Sequence, residues 1–249
     1  MDTLKNKNIW IIGASSGIGE ALGRELATQG ANVTFSARRE DKLNEIVNSL
    51  NGNHTALALD ASNPDEMITA AKSIKNLDCV IFLAAIYAPH SKKSKDIQFV
   101  HKMFDINVGG AFNTVNAVQS IFEESGKGQI VLCGSIAGYR GLPYGQPYCA
   151  TKAAILNYAE SLKIELEEKN IKVQVISPGF VKTPLTDKND FPMPMMIEAK
   201  DAAKAIAKGI ISNAHEIHFP KRFTYIMKFI RLLPTPLYFA VARMMRKKQ

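Results

Sequence analysis

The stretch "NIWIIGASSGIGEAL", residues Asn8 to Leu22, decides how the rest of the chain is read. An apolar run of strand length, Asn8–Ile12, leads into three glycines, Gly13, Gly17 and Gly19, and then into residues with helical spacing. Such glycines either cradle a phosphate or simply let a helix pack close to a strand. The phosphate reading has a physical basis, because unpaired N–H groups and the positive helix end favour anionic oxygens there. Gly13 would permit the tight turn, Gly17 would let backbone approach a pyrophosphate, and Gly19 would allow close helix–sheet contact. The spacing G-x-x-x-G-x-G is not G-x-G-x-x-G, and the Lys-Ser/Thr of a P-loop is missing.

Outward from this turn the chain alternates. Strand-length apolar runs lie at Asn8–Ile12, Val33–Ser36, His54–Leu59, Cys79–Leu83, Gln129–Cys133, Lys172–Ile176 and His215–Phe219. Helical spacing fills Ile18–Gln29, Asp41–Leu50, Asp65–Ile74, about Asp96–Glu124, Pro147–Lys169 and Asp201–Ile211. Strands apolar on both faces, separated by helices, predict an α/β domain with a parallel sheet and helices on each side. Gly30 in "QGAN" stands where a helix C-cap belongs.

Charge is unevenly placed. Residues 220–249 hold eight bases, Lys221, Arg222, Lys228, Arg231, Arg243, Arg246, Lys247 and Lys248, and no Asp or Glu. The remaining 23 bases balance the 23 acids, so the net +8 sits in the tail. A neutral body argues against nucleic-acid binding. Residues 1–219 are therefore read as one domain and 220–249 as a basic, apolar helical tail. Cys79, Cys133 and Cys149 have no metal-type spacing, and His215 and His218 point to opposite faces of a strand, so no metal is expected. Scattered cysteines and a polar start imply a cytoplasmic chain.

The segment "GSIAGYRGLPYGQPYCATKAAI" (134–155) places Tyr148 and Lys152 four apart, on one face of a helix. An ammonium beside a phenol lowers its pKa, which suits a proton donor and acceptor near neutrality. Ser135 ends the fifth apparent strand, at the edge of a parallel sheet where ligands bind. Its hydroxyl would hold a carbonyl oxygen while Tyr148 protonates it. Alone, a tyrosine and a lysine at this spacing also describe an ordinary solvated helix.

Together, "GASSGIG", "DAS" at 60–62, "INVGG" at 106–110, Ser135, "YCATK" and "PGFVKT" at 178–183 resemble the short-chain dehydrogenase/reductase family, from about Asn8 to His218. The resemblance implies a single Rossmann-like doubly wound domain with a seven-stranded parallel sheet. It implies that Gly13, Ser15, Ser16, Gly17, Ile18 and Gly19 surround the adenosine ribose and pyrophosphate. Asp60 would take the adenine amino group, with Ala61 contributing backbone. Asn107 would sit at a helix distortion and hold a relay water. Ser135 would orient substrate, Tyr148 would be the acid/base, and Lys152 would bind nicotinamide-ribose hydroxyls and depress the Tyr148 pKa. Pro178, Gly179, Val181 and Thr183 would frame the nicotinamide. The family usually has Asn-Asn-Ala-Gly after the fourth strand; here Phe82, Leu83, Ala84 and Ala85 stand in that frame, with Ala84 and Ala85 near the cofactor. Either apolar packing compensates or the protein is a non-catalytic cofactor-binding sensor or scaffold.

Cofactor choice follows from "TFSARRED" (34–41). Ala37 stands where an acid would accept the ribose hydroxyls of NAD, and Arg38 and Arg39 follow. Guanidinium suits a 2′-phosphate, so NADP(H) is expected, with Arg38 the main contact. The lid of the family falls at 183–200, where Phe191, Met193, Met195 and Met196 point to an apolar carbonyl or alcohol substrate, or to packing on a neighbouring helix. In the tail, "TYIMKFIRLL" and "PLYFAVARMM" read as two short helices separated by Pro234 and Pro236. Their uncharged run, Leu232 to Ala242, is too short to span a bilayer but suits the plane of an anionic membrane surface. Covering the cleft or packing on another subunit are the alternatives. Family members are usually homodimers or homotetramers, so self-association is implied.

Overall fold

A computed structural model of the chain describes residues 1–89 and 96–245. Three of the tail's bases, Arg246, Lys247 and Lys248, lie outside the described residues. The strands are β1 (Asn8–Ile12), β2 (Asn32–Ala37), β3 (Thr55–Ala58), β4 (Cys79–Phe82), β5 (Gly128–Cys133), β6 (Ile171–Pro178), β7 (Val181–Lys182), β8 (Ile197–Glu198) and β9 (Glu216–Phe219). All but β7 and β8 form one parallel sheet in the order β3-β2-β1-β4-β5-β6-β9.

The centre of the sheet shows why an unbroken apolar run becomes a strand. Ile9 and Ile11 of β1 face one side, among α1 (Gly17–Thr28) and α2 (Glu40–Asn48). Trp10 and Ile12 face the other, among α3 (Pro64–Ser73), α5 (Gly110–Ser125) and α6 (Tyr148–Leu166). Both faces are buried, so both sets must be apolar. Trp10 satisfies its one donor by a 2.8 Å bond to Ser36 Oγ. The strand order reverses between β1 and β4, which opens a crevice at their carboxyl ends.

Most expected elements form within a residue or two of their expected ends. The long helix expected at 96–124 is interrupted: α4 (Ile97–Phe104) passes through a π-helical turn, Asp105–Gly109, into α5. The two-residue strands β7 and β8 bracket the lid segment; pairs this short leave no pattern in sequence. After β8 comes α7 (Ala199–Ile210), and then β9.

The tail forms α8 (Lys221–Leu232) and α9 (Thr235–Met244), divided at Pro234. It folds back on the domain. Thr224 and Met227 of α8 are buried in the core, and Phe223 stacks on Phe180 at 5.5 Å. In α9, Tyr238 is buried and donates to the Gly141 carbonyl, with the Arg140 guanidinium 4.2 Å over its ring. Lys228 pairs with Glu216 at 2.6 Å.

Candidate active site

The turn after β1 is built by two left-handed glycines. Gly13 has φ +92° and Gly17 φ +59°. A Cβ on Gly13 would meet the Ala84 backbone nitrogen at 2.5 Å, so the turn presses against the segment after β4. Gly19 plays a different part from the one expected. Its Cβ would fall 2.1 Å from the carbonyl oxygen of Gly13, so it closes the turn on itself. The close approach of helix to sheet belongs to Gly23, whose Cβ would strike Phe35 of β2 at 2.0 Å. Ser16 caps α1 in extended backbone without a side-chain cap bond, which leaves the first-turn N–H groups for another acceptor.

From this turn a cleft of about 370 Å³ runs along the carboxyl ends of the strands. Ser15, Ser16, Gly17 and Ile18 line one end with Arg38, Arg39, Asp60 and Ala61. Ala84, Ala85, Ser135, Tyr148, Lys152, Pro178, Gly179 and Val181 line it too, as does Thr183, whose side chain a Cβ on Gly17 would meet at 3.2 Å. Asn107 stands behind this surface, fully buried.

Beside Arg38, Asp60 Oδ1 accepts from the backbone and hydroxyl of Ser62, at 2.9 and 2.7 Å. Burial works to raise its pKa. The bonds from Ser62 and the charge of Arg38 outweigh that and hold the carboxyl below its usual range. Arg39 is bound to the turn itself, donating to Ser15 Oγ at 2.9 Å and to the Ser15 carbonyl. Arg38 stands exposed at the rim.

At the other end, Ser135 caps a short 3₁₀ turn, its Oγ accepting from Ala137 N at 3.1 Å. Its hydroxyl donates to the Pro178 carbonyl at 3.5 Å and lies close enough to the Tyr148 phenol to act on its pKa. Tyr148 opens α6, and Lys152 follows one turn later on the same face. Lys152 is 1% exposed and donates to the Cys133 carbonyl at 2.8 Å; its ammonium lies 5.6 Å from the Tyr148 ring centre. The expected depression of the Tyr148 pKa is not found. Burial, with Cys133, Cys149 and Tyr87 close by, raises it, and the Ser135 hydroxyl lowers it less. Burial likewise lowers the Lys152 pKa. At this separation, with its proton directed at Cys133, the ammonium does not offset desolvation of the phenolate.

The Asn107 side chain is bonded within the protein. It sits in the π-helical turn, as the resemblance implied, but both ends of its amide are taken up by protein. Oδ1 accepts from Ile86 N at 2.8 Å, and Nδ2 donates to the Ile86 carbonyl at 3.0 Å and to Thr151 Oγ1 at 3.3 Å. The amide thus ties the segment after β4 to the π-helical turn. This tie sits beside the unusual Phe82-Leu83-Ala84-Ala85. Phe82 is fully buried, and a Cβ on Gly110 would come 2.9 Å from its ring. Apolar packing and the Asn107–Ile86 pair hold the segment where the family's asparagine pair is missing.

Residues outside the expected set also belong here. Tyr87 packs edge-on against Tyr148, with ring centres 5.0 Å apart, and donates to Asn189 of the lid at 2.9 Å. Thr151 donates to the Tyr148 carbonyl at 2.8 Å. Thr151 was visible inside "YCATK", one turn from Tyr148; the 83–89 segment reads only as a loop, so nothing local pointed to Tyr87. The lid methionines are not part of the cleft lining. Met195 and Met196 are exposed, and Pro184, Leu185 and Thr186 supply the lid's share, with Ile86 and Ile106 opposite. Cys79, Cys133 and Cys149 are buried thiols with pKa values pushed up by burial. No described helix is long and apolar enough to cross a membrane.

The cradle fits a dinucleotide. The uncapped N–H groups of α1 suit a pyrophosphate. Lys152 has three N–H bonds and, among the described residues, one hydrogen-bond acceptor, which leaves donors for sugar hydroxyls.

The family model for short chain dehydrogenases matches residues 7–192. An uncharacterized oxidoreductase of Myxococcus xanthus is 32% identical over 253 residues, covering 99% of this chain and 100% of that one. A short chain dehydrogenase from Burkholderia cenocepacia, solved in complex with NADP, superposes with a TM-score of 0.85 at 21% identity, over 98% of this chain and 100% of that one. A 3-ketoacyl-(acyl-carrier-protein) reductase from Brucella melitensis, complexed with NADH, superposes with a TM-score of 0.80 at 22% identity, over 87% of this chain and 98% of that one.

Proposed function

The chain belongs to the short chain dehydrogenase family, a family of oxidoreductases, and from that premise we propose that it interconverts a carbonyl and an alcohol with NADP(H), Tyr148 being the acid and base. The supporting observation is that Tyr148, Ser135 and Lys152 line the same cleft as the glycine turn. Bound NADPH would supply the hydride to the carbonyl carbon. The protein's part is to hold the carbonyl oxygen between the hydroxyls of Ser135 and Tyr148 and to deliver a proton to it. Burial keeps the phenol protonated, which suits the donor role in reduction. The phenolate left behind would be held by the nearby Ser135 hydroxyl, while Lys152, one helical turn away, would hold the nicotinamide ribose. In the reverse direction the same phenolate would accept the alcohol proton.

Gly13 to Gly19 would receive the pyrophosphate, Asp60 and Ala61 the adenine, Lys152 the nicotinamide ribose, and Pro178 to Thr183 the nicotinamide. The Burkholderia protein holds NADP and the Brucella protein NADH, so the fold admits either. The choice falls to the end of β2, where Arg38 stands exposed and Arg39 is anchored to Ser15. Both favour a 2′-phosphate over bare ribose hydroxyls. Ile86, Ile106 and Leu185 give the substrate end an apolar lining. The substrate is accordingly an apolar or lipid-like carbonyl or alcohol. Exposed Phe104, Phe112 and Ile164 on α4, α5 and α6 fit self-association through those helices. NADPH consumption across a panel of alkyl and acyl ketones is the direct test. No turnover on any member, with NADPH binding intact, would favour a sensor instead.

A further inference from the structure

The helix α8 is apolar on two opposite sides. Thr224 and Met227 are buried, and Phe223 and Ile230 pack beside them on the core. The side facing away carries Tyr225, Ile226, Phe229 and Leu232, which are 60, 50, 68 and 80% exposed. Their spacing, i, i+1, i+4, i+7, is that of a buried stripe, yet among the described residues little covers it. In α9, Tyr238 and Ala242 face inward while Leu237, Phe239 and Met244 are 57, 51 and 77% exposed. A surface helix normally turns polar residues outward; here the outward residues are large and apolar over two successive helices.

Charge selects what covers this face. Lys228 and Arg231 are paired with Glu216 and Glu160 of the domain. Arg222 and Arg243 are exposed, and among the described residues neither has an ion pair. No acid occurs anywhere in 220–249. A second copy of the chain would bring the same positive face against this one, and like charges oppose that contact. An anionic lipid surface offers both requirements at once: hydrocarbon for the aromatic and aliphatic side chains, and phosphate for the arginines. The inward face is already anchored by Met227, Tyr238 and the Lys228–Glu216 pair, so docking needs no unfolding of the tail.

We propose that the outward face of α8, continued by α9, is a membrane-docking surface that seats the protein on an anionic bilayer. The inward side of the same helix touches the lid, since Phe223 stacks on Phe180, which in turn meets Phe191 edge-on. The inference stands on the tail alone and does not depend on the reaction proposed for the cleft.

The test is flotation of the full chain with vesicles of equal phosphatidylglycerol and phosphatidylcholine, and with phosphatidylcholine alone. The expected result is flotation with the anionic vesicles, loss at high salt, and little flotation with the neutral ones. The double variant Ile226→Glu and Phe229→Glu should float at least about tenfold less, and Arg222→Glu about fivefold less. Because these side chains are exposed, each variant should keep its NADPH affinity and melting temperature. Absence of wild-type flotation, or flotation of the double variant equal to wild type, would overturn the proposal. So would a fall in oligomer size on sedimentation of the double variant, which would assign the face to a second copy.

Discussion

In the cleft, aromatic and cationic side chains are drawn inward. Lys152 is 1% exposed, Tyr148 lies against Tyr87, and Ser135 lies close to the phenol. Along α8 and α9 the same kinds of residue point outward, with Phe229 68% exposed and Leu232 80% exposed. The difference lies in what each side chain has for a partner. Burying Lys152 without an oxygen acceptor would be costly, and the cleft meets that need with one carbonyl and room for sugar hydroxyls. The exposed phenylalanine and leucine have no partner among the described residues. One region is thus preorganised around a small molecule and the other is open to a surface.

The sharpest way to break this comparison is at the phenol. Tyr148→Phe removes the transferable proton and keeps the ring against Tyr87. Carbonyl reduction should fall about 10²- to 10⁴-fold in kcat/KM, with NADPH affinity, followed by fluorescence, nearly unchanged. Turnover within a fewfold of wild type would mean that the cleft is organised around some other donor.

The two sides of α8 give the next contrast. Met227 is 6% exposed and packs in the core, so Met227→Ala should cost about 2–5 kcal/mol in a denaturant melt. Two positions on, Phe229→Ala should change stability by about 0.5 kcal/mol or less, because its ring contacts little. Equal losses would show that the outward face is covered after all.

This contrast also explains what could be read from residues alone. The glycine turn, the strand alternation and the Tyr148–Lys152 pair are local patterns that the backbone converts directly into geometry. The parallel sheet followed from them, while most residues of the cleft were named only by what the family resemblance implied. What escaped reading depends on side chains distant in sequence. Gly23 rather than Gly19 meets the sheet because Phe35 of β2 lies beneath it. The Asn107 amide is taken by Ile86, 21 residues away. Tyr148 is not made acidic, because that depends on where the Lys152 ammonium points and not on its spacing. The tail's two helices were legible from Pro234, but which side would be buried depended on its folding back.

At the far end of the cleft the contrast becomes one of cofactors. Arg38→Asp replaces an exposed guanidinium with a carboxylate that repels a 2′-phosphate and accepts ribose hydroxyls. NADPH affinity should drop about 10- to 100-fold while NADH affinity changes much less, as measured by fluorescence titration. Equal losses for both would place the selecting contact elsewhere, with Arg39 and its bond to Ser15 the next position to change.

The smallest effect concerns how the tail is rooted. Lys221 Nζ stands 3.1 Å from His218 Nε2, and an ammonium can only donate, so Nε2 is the acceptor. Nδ1 then carries the proton and donates to Thr224 Oγ1 at 2.6 Å. Protonating the ring would put an N–H against that ammonium. Burial, then the charges of Lys228 and Lys221, lowers the His218 pKa from 6.5 to about 4, against the opposing pull of Glu216. A depressed histidine is protonated first in the unfolded chain, so it costs stability as pH falls from about 6.5 to about 4 and adds no further loss below that. The full shift corresponds to about 3 kcal/mol, and solvent screening near the ring brings the expected loss to about 1–2 kcal/mol. Glu216 acts in the same direction at lower pH. Burial opposes its ionisation, but Lys228 and the Tyr139 hydroxyl hold it charged, and that contribution goes as it is protonated. Urea melts between these pH values should therefore show a slope in the wild type that His218→Gln flattens. If both proteins lose stability in parallel, the acid sensitivity belongs to the carboxylates and the junction between β9 and α8 is not its source.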